Sequence, residues 1–413
     1  MAINKLKICN FKSFGKVEID FASFNCVIGA NAAGKSNFLQ IFQFIKQIIN
    51  DGLDNAISMQ GGIQYLRNIN IGFDKPLYIM ISFDFAKSYK YFLSQNNIII
   101  KFNELIYELG IKFNKNNSDY LIDKDNLTLK INIFEKSKYQ KEQEKNTEVG
   151  QIRISNKKGI VDILIEKPSS LKLDIDNLFA PFFYERELPP HKVLAESSFF
   201  SIPLIKNIFS SISIYNINPR LSKTAIPITG KAELEEDGNN LPIILKKIIS
   251  DKKLNTKFFN LLSELLPFVN NVDVEERIDK TLFLKFKEKY YEKDYLPAFL
   301  LSDGTINATA LIIVLFFENK AITIIEEPER NVHPHLMSRI ASMMKDASRN
   351  KQIIITTHNP ELVKYADIKD IILISRDNRG FSNFTKPHTK REIKTFLKNE
   401  VGLEELFIQN LLE

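Results

Sequence analysis

The sequence predicts an α/β protein: a mixed β-sheet core with flanking helices, interrupted by an antiparallel β insertion and a helical subdomain. Three observations carry that prediction. The first fifty residues read as short strands, a glycine loop and a helix; the last third reads as strand, helix, strand with uninterrupted apolar strands; and the texture changes twice in between. At 413 residues the chain exceeds the roughly 250–300 at which single cores tend to split, so a main domain with at least one substantial insertion is expected.

Lys5–Phe11 and Lys16–Phe21 are short alternating runs, and Asn25–Ile28 is a compact apolar strand that runs directly into glycine and alanine. From Phe38 the apolar residues Phe38, Ile41, Phe42, Ile45, Ile48 and Ile49 recur at helical spacing, so a helix opens immediately after the loop. Residues 1–75 thus form the N-terminal part of the core.

Over 76–170 the runs LYIMISFDF, KYFLSQNNIIIKF and GIVDILIE, rich in β-branched and aromatic residues and separated by polar turns, predict the antiparallel insertion. Lys136–Val149 lacks apolar periodicity and reads as a solvated, mobile loop. Residues 171–295 read as mainly helical, with Pro203–Ser211, Leu241–Ile249 and Phe258–Leu266 the clearest segments, followed by strands near Val272–Glu276 and Thr281–Phe286. No sustained heptad pattern predicts a coiled-coil arm. In 296–413, Ala321–Ile325 and Gln352–Thr356 are apolar strands. Pro334–Ala347 between them carries Leu336, Ile340, Met343, Met344 and Ala347 on one helical face, giving a parallel crossover unit buried on both sides.

The bulk numbers narrow the class of protein. With 44% hydrophobic and 26% charged residues the chain is an ordinary globular one, and its net charge of +6, from 56 basic against 50 acidic residues, permits nucleic-acid contact without requiring it. The two cysteines, Cys9 and Cys26, sit in short apolar runs and offer neither a disulfide framework nor metal spacing. The start lacks the pattern of a secretory signal, and the longest apolar stretch, Ala308–Phe317, is far short of the roughly 20 residues that span a bilayer. A cytoplasmic protein without membrane contact is expected.

Four segments carry chemistry. Gly29, Ala30, Asn31, Ala32, Ala33, Gly34, Lys35 and Ser36 fit G-x-x-x-x-G-K-[ST] at every position, between a strand and a helix. Small residues let backbone N–H groups converge on phosphate oxygens, Lys35 supplies a point charge to the outer phosphates, and Ser36 offers a hydroxyl to Mg²⁺. The strand Ile322–Ile325 ends in Glu326, Glu327, Pro328 and Glu329, which places carboxylates at the sheet edge where phosphates bind in open α/β folds. There Glu326 holds Mg²⁺, directly or through water, Glu327 orients and deprotonates the attacking water, and Glu329 organises the following turn. Leu301-Ser302-Asp303-Gly304-Thr305 opens a long apolar helix and serves either as an N-terminal cap or as an anion site. Thr356-Thr357-His358-Asn359-Pro360 ends the next strand, where His358 can donate a hydrogen bond to a γ-phosphate; His333 and His335, around Pro334, read as capping and interface residues.

Taken together, GANAAGKS, LSDGT, IIEEPERNVHPHL and TTHNP resemble the Walker A, signature, Walker B with D-loop, and switch-histidine motifs of ABC-type ATPases. ICNFKSF and LEEDGNNLPIIL, with EEPE followed by HP, bring the sequence closer to the RecF-like and OLD-like AAA ATPases of the AAA_21 type. The resemblance covers the whole chain in outline and is specific over residues 1–50 and 297–365. It implies an ABC-ATPase-like head of P-loop NTPase type, with ATP and Mg²⁺ as cofactors. Gly29, Asn31, Ala32, Ala33, Gly34, Lys35, Ser36 and Asn37 then contact the nucleotide, with Ser36 and Glu326 on the metal and Lys35, Glu327 and His358 catalytic. Ser302 and Gly304 reach, in trans, the γ-phosphate bound to the other subunit. Glu326 departs from the aspartate usual in transporter ATPases, although glutamate occurs in this branch. Lys12, in FKSF, either approaches the nucleotide or is a solvated strand-edge lysine, and Gln60 and Gln64 both stand as Q-loop residues.

Proteins of this resemblance imply a homodimer closed through ATP-sandwiched heads, acting in DNA repair or in defence against phages and plasmids beside a separately encoded nuclease or toxin effector, with DNA a further partner. A slowly hydrolysing DNA-binding clamp or scaffold is the alternative. A transporter subunit is disfavoured because the insertions interrupt the head. The tail after His358 carries no acidic metal cluster and is too short for a Toprim nuclease domain.

Overall fold

The computed structural model describes the chain except for residues 94–97, 115–118, 136–147, 167–186, 190, 197–207, 292, 391–392, 394–401, 410 and 413. The predicted loop at Lys136–Val149 falls largely outside the described residues, as does most of the predicted helix Pro203–Ser211.

In chain order the strands are β1 (Ala2–Phe11), β2 (Phe14–Asp20), β3 (Phe24–Ile28), β4 (Leu77–Leu93), β5 (Ile98–Phe113), β6 (Tyr120–Glu135), β7 (Glu148–Lys157), β8 (Ile160–Glu166) and β9 (Ile212–Tyr215). They continue with β10 (Ile226–Pro227), β11 (Val269–Glu276), β12 (Thr281–Glu288), β13 (Leu296–Pro297), β14 (Ile322–Glu326), β15 (Gln352–Thr357), β16 (Ile371–Arg376) and β17 (Ser382–Thr385). The helices are α1 (Lys35–Asp51), α2 (Leu53–Met59), α3 (Ile63–Leu66), α4 (Pro219–Ser222), α5 (Leu241–Ser250), α6 (Lys252–Leu265), α7 (Asp303–Phe316), α8 (Met337–Ala347), α9 (Pro360–Val363) and α10 (Leu403–Ile408).

The chain divides into two compact units. The first comprises Met1–Ala22, Ala32–Ser211 and Ile374–Phe384; the second comprises Ser23–Asn31, Ile212–Leu373 and Thr385–Glu413. In the first, strands run in the order β8-β7-β6-β5-β4-β1-β2-β17. All neighbours from β8 to β2 are antiparallel, and β17 pairs with β2 in parallel at Ser382 and Phe14. The insertion strands therefore extend the N-terminal hairpin through β4, which pairs with β1. Helix α1 turns Phe38, Leu39, Ile41, Phe42, Phe44, Ile45 and Ile48 into this unit, and Phe38 meets Phe42 edge-on at 5.2 Å. It stops at Gly52, whose φ of 89° is open to glycine and whose N–H closes on the Ile48 carbonyl.

Asp125 in β6 is fully buried and accepts hydrogen bonds from Tyr107 Oη (3.1 Å), Asn156 Nδ2 (2.9 Å) and the Leu194 amide (2.7 Å). Burial pushes its carboxyl up to about 6 against those three donors. Its proton is thus held more tightly folded than unfolded, so the group's contribution to stability falls as pH rises from about 3.9 towards 6 and is absent at neutral pH. Asp125→Asn is expected to remove that slope while keeping the fold, because Tyr107 Oη can rotate to accept from the new amide. Asp125→Ala leaves the donors unsatisfied and costs about 1–3 kcal/mol. Thermal unfolding midpoints measured from about pH 4 to about pH 7 compare the three proteins.

In the second unit the parallel strands run β9-β14-β15-β3, with the start of β16 beyond β3. β3, β9 and β15 are buried at every residue, as the strands of a parallel sheet covered on both faces are. α7 is buried at every residue from Thr305 to Leu315, with its buried Asn307 and Thr309 hydrogen-bonded to backbone carbonyls, and α8 packs Met337, Ile340, Met343 and Met344 inward. A short 3₁₀ turn, Pro334–Leu336, precedes α8, so the segment predicted as one helix from Pro334 begins with a tighter turn. β10-β12-β11, with β13 beside β12, make a separate antiparallel sheet against which α5 and α6 contribute Leu245, Phe258 and Leu262 to the same core. The stretch predicted as mainly helical also holds β9, a strand of the parallel sheet. Helix α6 begins at Lys252, earlier than predicted, because Asp251 accepts from the amides of Lys253 and Leu254. Among the described residues no helix is long and apolar enough to cross a membrane. Cys26 is buried in β3 and Cys9 is partly exposed; both are free thiols.

Candidate functional site

The parallel register of the second unit aligns the ends of four strands. Tyr215 pairs with Ile325, Glu326 with Thr356, and Thr357 with Ile28. The residues that follow each strand, Asn216, Glu327, His358 and Gly29, therefore leave one carboxyl edge, the place where ligands bind in open α/β sheets.

Glu326 is the last residue of β14 and receives the Asn216 side-chain amide on Oε2 at 2.7 Å. Glu327 adopts φ 45°, a left-handed conformation uncommon outside glycine, and its N–H reaches back to the Thr356 carbonyl at 2.9 Å. Its two carboxylate oxygens are held on opposite sides: Oε1 lies 2.6 Å from His358 Nδ1, and Oε2 accepts from Arg330 Nη2 at 2.9 Å and Nε at 3.3 Å. Burial raises this carboxyl, but Arg330 and His358 outweigh it and leave it below the ordinary glutamate range. A carboxylate partner at Nδ1 favours the tautomer of His358 that carries a proton on that nitrogen. Arg330 Nη1 also donates to Asn216 Oδ1 at 3.2 Å. Glu329 points inward: it is 5% exposed and takes a close hydrogen bond from Thr357 Oγ1, while its Oε2 is buried without a partner. Burial pushes this carboxyl up to about 7.

The helix after the Leu301-Ser302 loop begins with a cap. Ser302 Oγ accepts from the Thr305 amide at 3.1 Å and lies 2.9 Å from Thr305 Oγ1, so Ser302 performs the capping that the sequence allows, while remaining exposed. Lys223, just after α4, anchors this loop through Asp303 and through the Leu301 carbonyl at 2.7 Å. Gly304 has its own reason to be glycine: a Cβ there would stand 2.3 Å from the Asn331 carbonyl oxygen. One turn on, Asn307 Nδ2 donates to the carbonyls of Pro328 (3.2 Å) and Arg330 (2.7 Å). The start of α7 is thereby tied to the loop that follows Glu327.

Gly29, Ala30 and Asn31 leave β3 in the second unit, and the same loop continues as Ala32–Ser36 in the first. Ala32 has φ 62° and Gly34 φ 118°, and Lys35 and Ser36 are the first two residues of the 17-residue α1, whose N-terminus is a favourable place for an anion. Ser382 Oγ donates to the Ala33 carbonyl at 2.6 Å and lies 2.8 Å from Ser13 Oγ, which also accepts from Asn37 Nδ2 at 2.8 Å. A Cβ on Gly34 would stand 2.4 Å from Ser382 Oγ. Asn37 is thus a buttress of the loop.

Lys12 lies in the turn after β1 rather than on the strand, with φ 46°, and burial lowers its pKa. Gln60 is buried and donates to Gln47 Oε1 at 2.9 Å, whereas Gln64 is exposed at a cleft of about 600 Å³ lined also by Arg67, Phe73 and Tyr120. His333 and His335 are exposed, with Nδ1 atoms 2.6 Å apart, and His333 caps the Pro334–Leu336 turn.

The sequence alone assigns no role to Asn216, Arg330, Ser13 or Ser382. Ser13 and Arg330 lie inside quoted motifs, FKSF and EEPERN; Asn216 and Ser382 have no local signal. Among the described residues no group of three or more His, Cys, Asp or Glu side chains could hold a metal ion. Glu326, a partly exposed carboxylate at the end of β14, fits Mg²⁺ carried with a nucleotide, which needs one or two protein oxygens beside phosphates and water.

The sequence profile of the AAA_21 family, described as "AAA domain, putative AbiEii toxin, Type IV TA system", matches residues 24–364. No curated protein matches the sequence. The fold is similar to an SmcHead crystallised bound to the C-winged helix domain of ScpA, at 18% identity and a TM-score of 0.50, covering 93% of this chain and 97% of that one. It is also similar to the SMC head domain of Thermotoga maritima (13% identity, 94% and 99% covered, TM-score 0.43). A Pyrococcus furiosus Smc head with an extended coiled coil, bound to the C-terminal domain of ScpA, matches at 15% identity, 96% and 99% covered, TM-score 0.45. At 18% identity the likeness to the first of these concerns the fold alone.

Proposed function

The chain belongs to the AAA_21 family, and from that premise we propose that it binds and hydrolyses ATP and works as an ATP-gated homodimer. The observation that supports hydrolysis is the arrangement at the carboxyl edge of β14 and β15: Glu327 stands one residue beyond Glu326 with both oxygens oriented, by His358 on one side and Arg330 on the other. In this reading Glu327 orients the attacking water and takes its proton as the water oxygen bonds to the γ-phosphorus and the bond to ADP breaks. Lys35 offers its charge to the outer phosphates, and the loop from Gly29 to Asn37 supplies backbone N–H groups. Ser36 and Glu326 are the residues that would hold Mg²⁺, which when bound neutralises charge on the phosphates. His358 stays ordered by Glu327 until a γ-phosphate competes for it.

Ser302 and Gly304 serve the partner's nucleotide in this account, and the dimer closes when both are engaged. The family's description, a putative AbiEii toxin of a type IV toxin–antitoxin system, supports a toxin–antitoxin setting over DNA repair; a separate effector is part of our proposal and no part of that description. The test is phosphate release by the purified protein with ATP. We expect steady release with Mg²⁺ and none after chelation with EDTA; absence of release in every condition would leave an ATP-bound scaffold in place of a hydrolase.

A further inference from the structure

Two side chains at the strand edge are joined by a third that no sequence motif contains. Asn216 follows β9, and because β9 runs parallel to β14 with Tyr215 beside Ile325, its side chain comes level with Glu326. Its Nδ2 donates to Glu326 Oε2 at 2.7 Å and its Oδ1 accepts from Arg330 Nη1 at 3.2 Å, while Arg330 grips Glu327 Oε2 at 2.9 Å. We propose that Asn216 is a positioning residue, setting the orientation of the cation-binding carboxylate of Glu326 and, through Arg330, that of Glu327.

An amide suits this place on chemical grounds. It donates to a carboxylate and accepts from a guanidinium with the same planar group, which a carboxylate or an ammonium cannot do. A carboxylate here would face Glu326 with like charge, and an aliphatic group would leave both neighbours without that contact. The backbone of Asn216 is held separately, by its N–H on the Glu236 carbonyl at 2.8 Å, so a change of side chain leaves the chain path in place. Glu326, Asn216, Arg330, Glu327 and His358 form one continuous chain of hydrogen bonds, and Asn216 is its only neutral, non-titrating member.

The inference rests on the hydrolytic reading of the site, and its test separates the two. Asn216→Ala is compared with the wild-type chain by steady-state kinetics and by electron paramagnetic resonance of Mn²⁺ binding in the presence of the β,γ-imido analogue of ATP. Residues that orient metal ligands are worth about 10- to 100-fold in metal affinity or activity when removed. The expected result is a fall of that size in kcat, with the KM for ATP little changed, together with weaker Mn²⁺ binding and an unaltered thermal midpoint. Values of kcat and Mn²⁺ affinity both within about twofold of wild type would overturn the proposal, as would a loss explained by a lowered thermal midpoint. If the wild-type chain releases no phosphate, the hydrolytic reading fails on its own, and the Mn²⁺ comparison still decides whether Asn216 positions Glu326.

Discussion

Glu327→Gln is expected to lower ATP turnover by about 10²- to 10⁴-fold, the range lost when a positioned general base is removed, while ATP affinity stays within about twofold. The amide keeps the size and planarity of the carboxylate, and its oxygen can still accept from His358 or Arg330, which lie 2.6 and 2.9 Å from the two carboxylate oxygens. What it cannot do is take a proton from water. Glu327 is fixed by its left-handed backbone and by the bond from its N–H to Thr356, so the substituted side chain stays in place. Binding is untouched because the phosphate loop from Gly29 to Asn37 is unaltered. Phosphate release and equilibrium dialysis of labelled ATP check the two halves separately; turnover within about tenfold of wild type would assign the base elsewhere.

Lys35→Ala is expected to act on binding as well as turnover. Lys35 is the first residue of α1, where the helix terminus already favours an anion, and the lysine adds a full charge for the outer phosphates. A lost charge-assisted contact weakens ATP binding about 10- to 100-fold, and because charge on the transferred group grows towards the transition state, turnover falls by at least about 10²-fold. The fold should not change, since α1 is held by Phe38, Ile41, Phe42 and Ile45 and not by its partly exposed first residue. Isothermal titration with ATP and a thermal melt make the comparison; wild-type affinity in the variant would remove the phosphate loop from the account.

What was legible in the sequence is what local pattern dictates. β14 and β15 are runs of β-branched residues and β3 is a short apolar run, each leading into a motif, so both strand and edge could be read together. β9 could not, because ISIY is four residues long, lies among helices, and gains its identity only from pairing with β14. Asn216 was invisible for the same reason: its value depends on register between segments 110 residues apart. Ser382 supports Ala33 across 349 positions and leaves no local trace. Gly304 illustrates a residue read for one reason and held for another as well. Its place in a Ser-x-Gly helix start suggests an anion site, whereas the nearby Asn331 carbonyl excludes any side chain there. Glu329, expected to organise the turn after β14, has its side chain buried against Thr357.

The central claim is that ATP closes two heads on each other and hydrolysis releases them. Sedimentation velocity of Glu327→Gln, with Mg²⁺ and either ATP or ADP, tests it most directly, because the variant should retain ATP long enough to be observed. The account predicts a dimer with ATP and a monomer with ADP. A monomer in both conditions, at concentrations where ATP is shown to be bound, would contradict it.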